Sequence, residues 1–117
     1  MSVESTIFDT LKGLVGNRVY PDIAPATTTK PYITYQQVGG VGVNFVDATV
    51  PSKKNFTFQI NVWGETRAAV ATLAAQVEAA MRAVTALQTT VLAAPVAIYE
   101  PENNLRGSRQ DFSVWFT

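Results

Sequence analysis

The side chains that could do chemistry in this chain are few in kind and scattered in position. Asp9, Asp22, Asp47, Glu100, Glu102 and Asp111 fall on no common element at a spacing that makes a carboxylate pair or a metal cradle. Histidine and cysteine are both absent. That removes the serine–histidine–aspartate triad, thiol catalysis, disulfides and metal sites built on either residue. It also removes the side chain whose ordinary pKa best suits proton transfer near neutrality. Carboxylate, lysine, tyrosine and hydroxyl chemistry stay open, but nothing in the pattern selects them. The expectation is no enzyme, no cofactor and no metal. Glu65 and Arg67 flank a helix start, and Glu78 and Arg82 lie four apart on one helix. A buried acid–base pair is one reading; a solvated pair worth about 0.3–0.5 kcal/mol is the expected one. Gly39-Gly40-Val41-Gly42 has the look of a phosphate loop but lacks the lysine–hydroxyl pair and the helix that must follow.

Binding chemistry is better represented. By strand phase Trp63 and Trp115 fall on the polar face, together with Thr57, Gln59, Asn61 and Ser113. Outward tryptophans are common interface anchors, and the amides and hydroxyls can bond a neighbouring subunit. A terminus or connector covering them is the plain alternative, and a stacking platform for single-stranded nucleic acid a third. Lys53, Lys54, Arg106 and Arg109 are basic points in loops, read as solvated charge by default and as phosphate contacts in the alternative. Interface candidates are therefore Trp63, Trp115, Gln59, Asn61, Lys53, Lys54, Arg106 and Arg109.

The elements that position these residues are organised around Asn55–Ala86. Phe56, Phe58, Ile60 and Val62 alternate with polar neighbours, which predicts a central strand. Gly64 ends it and Thr66 caps a long helix whose stripe is Val70, Leu73, Val77, Ala80, Met81 and Val84. Ahead of it, Ser2 caps a first helix with Val3, Ile7, Phe8, Leu11, Leu14 and Val15 on one side, stopped by Gly16 and Asn17. Val19–Lys30, with Pro21 and Pro25, reads as a connector. Tyr32–Val38 reads as a strand. Residues 39–54 are expected as a projecting arm or hairpin, Val41–Val50 being a strand or extended. Leu87–Pro95 is a link. Val96–Tyr99 and Asp111–Thr117 read as strands joined across a polar loop at 101–108. The fold class is α+β: a mostly antiparallel four- to five-stranded sheet with two helices packed on one face.

Length and composition bound the rest. The 117 residues suit a single domain, 1–117, and 47% apolar residues suffice for a core. Nine basic and nine acidic side chains cancel. A specific nucleic-acid binder needs a basic surface, so none is expected, and no membrane association either. No apolar run approaches the ~20 residues of a membrane span. MSVEST has neither the basic residues nor the apolar core of a signal peptide. Lack of cysteine is compatible with a reducing cytoplasm.

The order of motifs resembles the tail-completion and tail-terminator proteins of long-tailed bacteriophages. The likeness lies in the first helix with Leu11, in Arg18-Val19-Tyr20-Pro21-Asp22-Ile23-Ala24-Pro25, and in Pro31-Tyr32-Ile33-Thr34-Tyr35-Gln36. It continues through Phe58-Gln59-Ile60-Asn61-Val62-Trp63-Gly64, the alanine-rich helix, and Asp111-Phe112-Ser113-Val114-Trp115-Phe116. It implies a structural protein of a phage or prophage, a hexameric ring that caps the tail tube, stops its growth and offers a docking surface to the head connector. Its implied partners are further copies of itself, the tail tube protein and a head-completion protein. A loop or arm would line the bore. Its place would be the host cell cytoplasm during assembly and the virion tail afterwards. The alternative from a different class is a small cytoplasmic binding module that uses the open sheet face for a peptide or small ligand.

Overall fold

The computed structural model describes residues 2–117. In chain order it contains helix α1 (Val3–Leu11), strands β1 (Val19–Pro21), β2 (Tyr32–Gly39) and β3 (Lys54–Gly64), helix α2 (Arg67–Ala83), then β4 (Thr90–Val91), β5 (Val96–Glu100) and β6 (Leu105–Phe116). The ladder between β3 and β6 is the axis of the sheet. It runs antiparallel without interruption from Lys54 opposite Phe116 to Gly64 opposite Arg106. β2 adds to the other side of β3, antiparallel, and β1 adds to β2 in parallel. β4 and β5 both pair with β6 on its outer side, one after the other. The class is α+β with a mixed sheet, antiparallel except at β1.

The alternation predicted for β3 sets the two faces. Phe58, Ile60 and Val62 are buried, as are Phe112 and Val114 on β6 and Ile33 and Tyr35 on β2. Both helices lie on that face. α2 covers it with Val70, Leu73, Ala74, Val77 and Met81, and α1 with Ile7 and Leu11; Val15 and Leu87 fill the ends. The caps follow the sequence. Ser2 and Ser5 exchange backbone-to-hydroxyl bonds of 3.0 Å, and Thr66 Oγ1 accepts from the Ala69 N–H at 3.1 Å. Gly16 and Asn17 both take positive φ, +56° and +68°, so this stop is left-handed as expected.

Four details differ from the sequence reading. The α-helix ends at Leu11 and tightens into a 3-10 turn over Lys12–Leu14. The sheet has six strands, because the connector contains β1 and the 87–95 link contains β4. Three and two residues are too short to show a period, and Pro21 ends β1 at the sheet edge, where its missing N–H costs nothing. β6 begins at Leu105, well before Asp111, and the turn is confined to 101–104. Arg106–Gln110 has no apolar alternation; pairing with β3 on one side and β5 on the other makes it a strand. Residues 40–53 form no strand and join β2 to β3 as an irregular excursion. Glycines at 39, 40 and 42 explain why.

Gly107 marks a close approach near one end of the ladder. A Cβ there would lie 2.6 Å from the Trp63 ring and 2.9 Å from the Val62 carbonyl oxygen. Gly107→Val is expected to cost about 1–3 kcal/mol, read as a lower urea midpoint with an unchanged slope. An unchanged midpoint would mean that the indole moves aside freely.

Candidate assembly surface

The sheet face away from the helices carries most of the singled-out residues. Alternation places Asn55, Thr57, Gln59, Asn61 and Trp63 of β3 there, opposite Trp115, Ser113, Asp111, Arg109 and Gly107 of β6. The two tryptophans share this face but stand at opposite ends of the ladder, since Trp63 pairs with Gly107 and Trp115 with Asn55. Eight residues of strand separate them, ~27 Å. Trp63 is half-buried and already engaged: its Nε1–H donates to Thr34 Oγ1 at 3.1 Å, and its ring stacks on Tyr32 with centroids 6.5 Å apart. Trp115 is half-buried at the other end.

Between them runs a polar floor. Thr34, Asn61 and Arg109 lie abreast, and so do Gln36, Gln59 and Asp111. Asn61 Oδ1 and Asp111 Oδ1 are buried acceptors without a partner. Arg109 is exposed. Arg106 bonds Asn104 Oδ1 at 3.3 Å and lies over the Tyr99 ring, 5.1 Å from its centroid. Lys53 Nζ donates to Gln88 Oε1 at 3.0 Å, and Lys54 is exposed at the start of β3. The structure thus spreads the eight candidates over one face and its ends, and brings Asn61 and Trp63 together in one cleft.

A cleft of about 590 Å³ lies at the Trp63 end, walled by Tyr32, Trp63, Asp22, Lys30 and Glu100. Burial, with a smaller push from the Glu100 carboxylate, holds the Tyr32 phenol above its usual pKa, so it stays neutral and is a poor acid near neutrality. Among the described residues no three carboxylates gather closely enough to hold a metal ion, and no helix is long and apolar enough to cross a membrane.

Gln110 and Asn55 escaped the sequence reading, and Arg67 entered it only as half of a pair with Glu65 that does not form. Arg67 pairs with no carboxylate; its guanidinium donates to the carbonyls of Gly107 at 2.9 Å and Ile98 at 3.2 Å, tying α2 to β6 and β5. A cation in the first turn of a helix opposes the macrodipole, and that mismatch was the available signal. Gln110 stands in phase with Phe112 and Val114 and is buried, donating to Glu78 Oε1 at 2.8 Å and the Ala93 carbonyl at 2.9 Å. Asn55 is also buried. Its Oδ1 accepts the Val41 N–H at 2.8 Å and its Nδ2 donates to Ser113 Oγ at 2.7 Å, which clamps the root of the 40–53 segment. Glu78 and Arg82 form the expected surface pair, 3.0 Å apart.

The surface beyond the sheet face is unusual for its apolar content. Val38, Val41, Phe45, Val46 and Val50 are all exposed around the 40–53 segment, as are Leu92, Val96 and Tyr99 along β4 and β5. β5 is paired on its β6 side alone, and β2 beyond Tyr35 is paired on its β3 side alone. Exposed apolar groups beside unpaired strand edges are what association surfaces are made of.

A family model described as tail completion protein gp17 matches residues 9–117, nearly the whole chain. No curated protein matches. Among solved structures, a chain from one titled "Virion of native gene transfer agent (GTA) particle" superposes with a TM-score of 0.60 at 16% identity, covering 97% of this chain and 93% of that one. At that identity the likeness is one of fold.

Two outcomes follow from the side-chain geometry. Replacing Arg67 by Met should speed hydrogen exchange of the β5 amides roughly tenfold while α2 keeps its protection; equal exchange would show that the two carbonyl bonds hold nothing. The hydrogen bond from Gln110, then Arg82, lowers the Glu78 pKa below its ordinary value. A depressed carboxylate stabilises the fold above its unfolded pKa and loses that contribution as pH falls through the folded value. Gln110→Leu should therefore raise the Glu78 titration midpoint by NMR and shrink the acid-side loss of stability. A midpoint that stays low would assign the shift to Arg82.

Proposed function

The chain belongs to the tail completion protein gp17 family, and from that premise we propose that it acts as a ring-forming tail terminator. Copies close into a six-fold ring on the end of a finished tail tube, stop its growth, and present the opposite rim to the head connector. The tail tube protein and a head-completion protein are its partners. It works in the host cytoplasm during assembly and remains in the virion tail. The family match over residues 9–117 is the observation that carries this reading.

Three features support it. A ring requires one patch to meet a different patch and rotation to close the circle. This chain has unpaired edges on both flanks of its sheet, at β2 and at β5. Its formal net charge is +0, which suits a bore that passes DNA without holding it. The polar floor presents the exposed Arg109 and the half-buried Gln59 amide to groups on a tube or connector subunit. Trp115, Gln59, Arg109 and Lys54 are the side chains on this face and its end through which such contacts run, with Trp63, Asn61, Lys53 and Arg106 bracing them. The whole chain acts as a single domain.

A small-ligand binding module is the second reading, and the cleft beside Trp63 is what favours it. The other tryptophan stands ~27 Å away, so a ligand there meets one indole, not two. Particles assembled without this protein distinguish the readings. The terminator account expects overlong or headless tails by electron microscopy. Tails of normal length joined normally to heads would remove it.

A further inference from the structure

We infer that the 40–53 arm of one copy seats on the β5 edge of the next copy, making an apolar head-to-tail contact; this rests on the ring reading and names its two mating patches. The arm is built to be covered. Val41, Phe45, Val46 and Val50 point out of it, and Val46 is fully exposed, with a relative exposure of 110%. The arm also has local order. Asp47 Oδ1 accepts from the Thr49 hydroxyl at 2.8 Å and its N–H at 3.2 Å, and the Ala48 N–H donates to the Phe45 carbonyl at 3.1 Å. These bonds make a turned tip that presents Phe45 and Val46 together, on a root clamped by Asn55.

The β5 edge is the complementary patch. Val96 and Tyr99 are about half exposed on the two faces of a strand with no partner strand on its outer side, and Leu92 is as exposed just after β4. Arm and edge are exposed in the same molecule, so neither covers the other within one copy. Two unlike patches left open in one chain are satisfied by a second copy, and repetition of that heterologous contact makes a ring when its rotation closes, as the ring reading requires. The reach is adequate. About seven residues out and seven back extend at most ~23 Å, and the molecule measures 53 × 24 × 23 Å, so an arm can span a neighbour's width. Charge agrees: Lys53 and Lys54 stand at the arm's root, Glu100 at the end of β5 and Glu102 in the turn after it, and among the described residues none of these four is in an ion pair.

The chain has no cysteine of its own, so a pair can be placed without background. Val46→Cys with Val96→Cys, both exposed positions, would be treated with a short bismaleimide in assembled tails. The expected result is a ladder of covalent multimers of this chain up to the ring, absent from either single variant. Cross-links only to the tube or connector protein would overturn the inference, as would none at all in tails of normal length; both leave the terminator reading standing. Should the pair fail to enter tails, mixing Val46→Asp with Val96→Asp decides. One intact arm and one intact edge should give heterodimers and nothing larger by mass photometry, and their absence where wild-type protein forms rings would overturn it.

Discussion

The strict alternation of β3 against β6 is the constraint on which everything else in this protein rests. Eleven consecutive pairings, Lys54–Phe116 to Gly64–Arg106, fix which side chains are dry and which are wet. One register step of β3 would turn Phe58, Ile60 and Val62 to solvent, and one of β6 would turn out Phe112 and Val114. The slip of β3, three large apolar groups at about 1.5–3 kcal/mol each, rivals the net stability of a small domain. The dry face is therefore committed to α1 and α2. The opposite face is left free of helices, and the surface proposed for assembly is a direct consequence of the same pairing.

The second consequence concerns edges. A sheet that is not closed into a barrel keeps two flanks, and many proteins blunt theirs with charge, bulges or cover. Here β1 covers β2 only at Ile33–Tyr35, and β4 and β5 are short and unpartnered outside. The 40–53 segment adds apolar side chains where a monomer's loop would carry polar ones. Each feature is a liability in an isolated molecule and useful in one that is completed by neighbours. The same economy appears in the chemistry. Histidine and cysteine are absent, and burial keeps the Tyr32 phenol neutral.

What was legible in the sequence was whatever repeats with a period. The stripe of α2 and the alternation of β3 were read to within a residue or two, and so were the core members they imply. Ser2, Thr66, Gly16 and Asn17 act locally, so caps and stops could be read as well. Strands of two and three residues could not, because β1 and β4 exist through their partners. The extension of β6 across Arg106–Gln110 belongs to the same class. Site residues were legible as to face but not as to use. Phase placed Trp63 and Trp115 on one side, yet only three dimensions show them at opposite ends, with Trp63 bonded to Thr34 and packed on Gly107. Arg67 and Gln110 carried weak signals, a cation at a helix start and an amide in an apolar phase.

The proposed function lies in copies, several of which close a circle at one place on the tail. Averaged electron-microscope images of complete tails, with this chain carrying a small exposed label at its C-terminus, measure that most directly. The account predicts one ring of six labels at the head-proximal end of the tube and none elsewhere. A single label, or labels spaced along the tube, would contradict it.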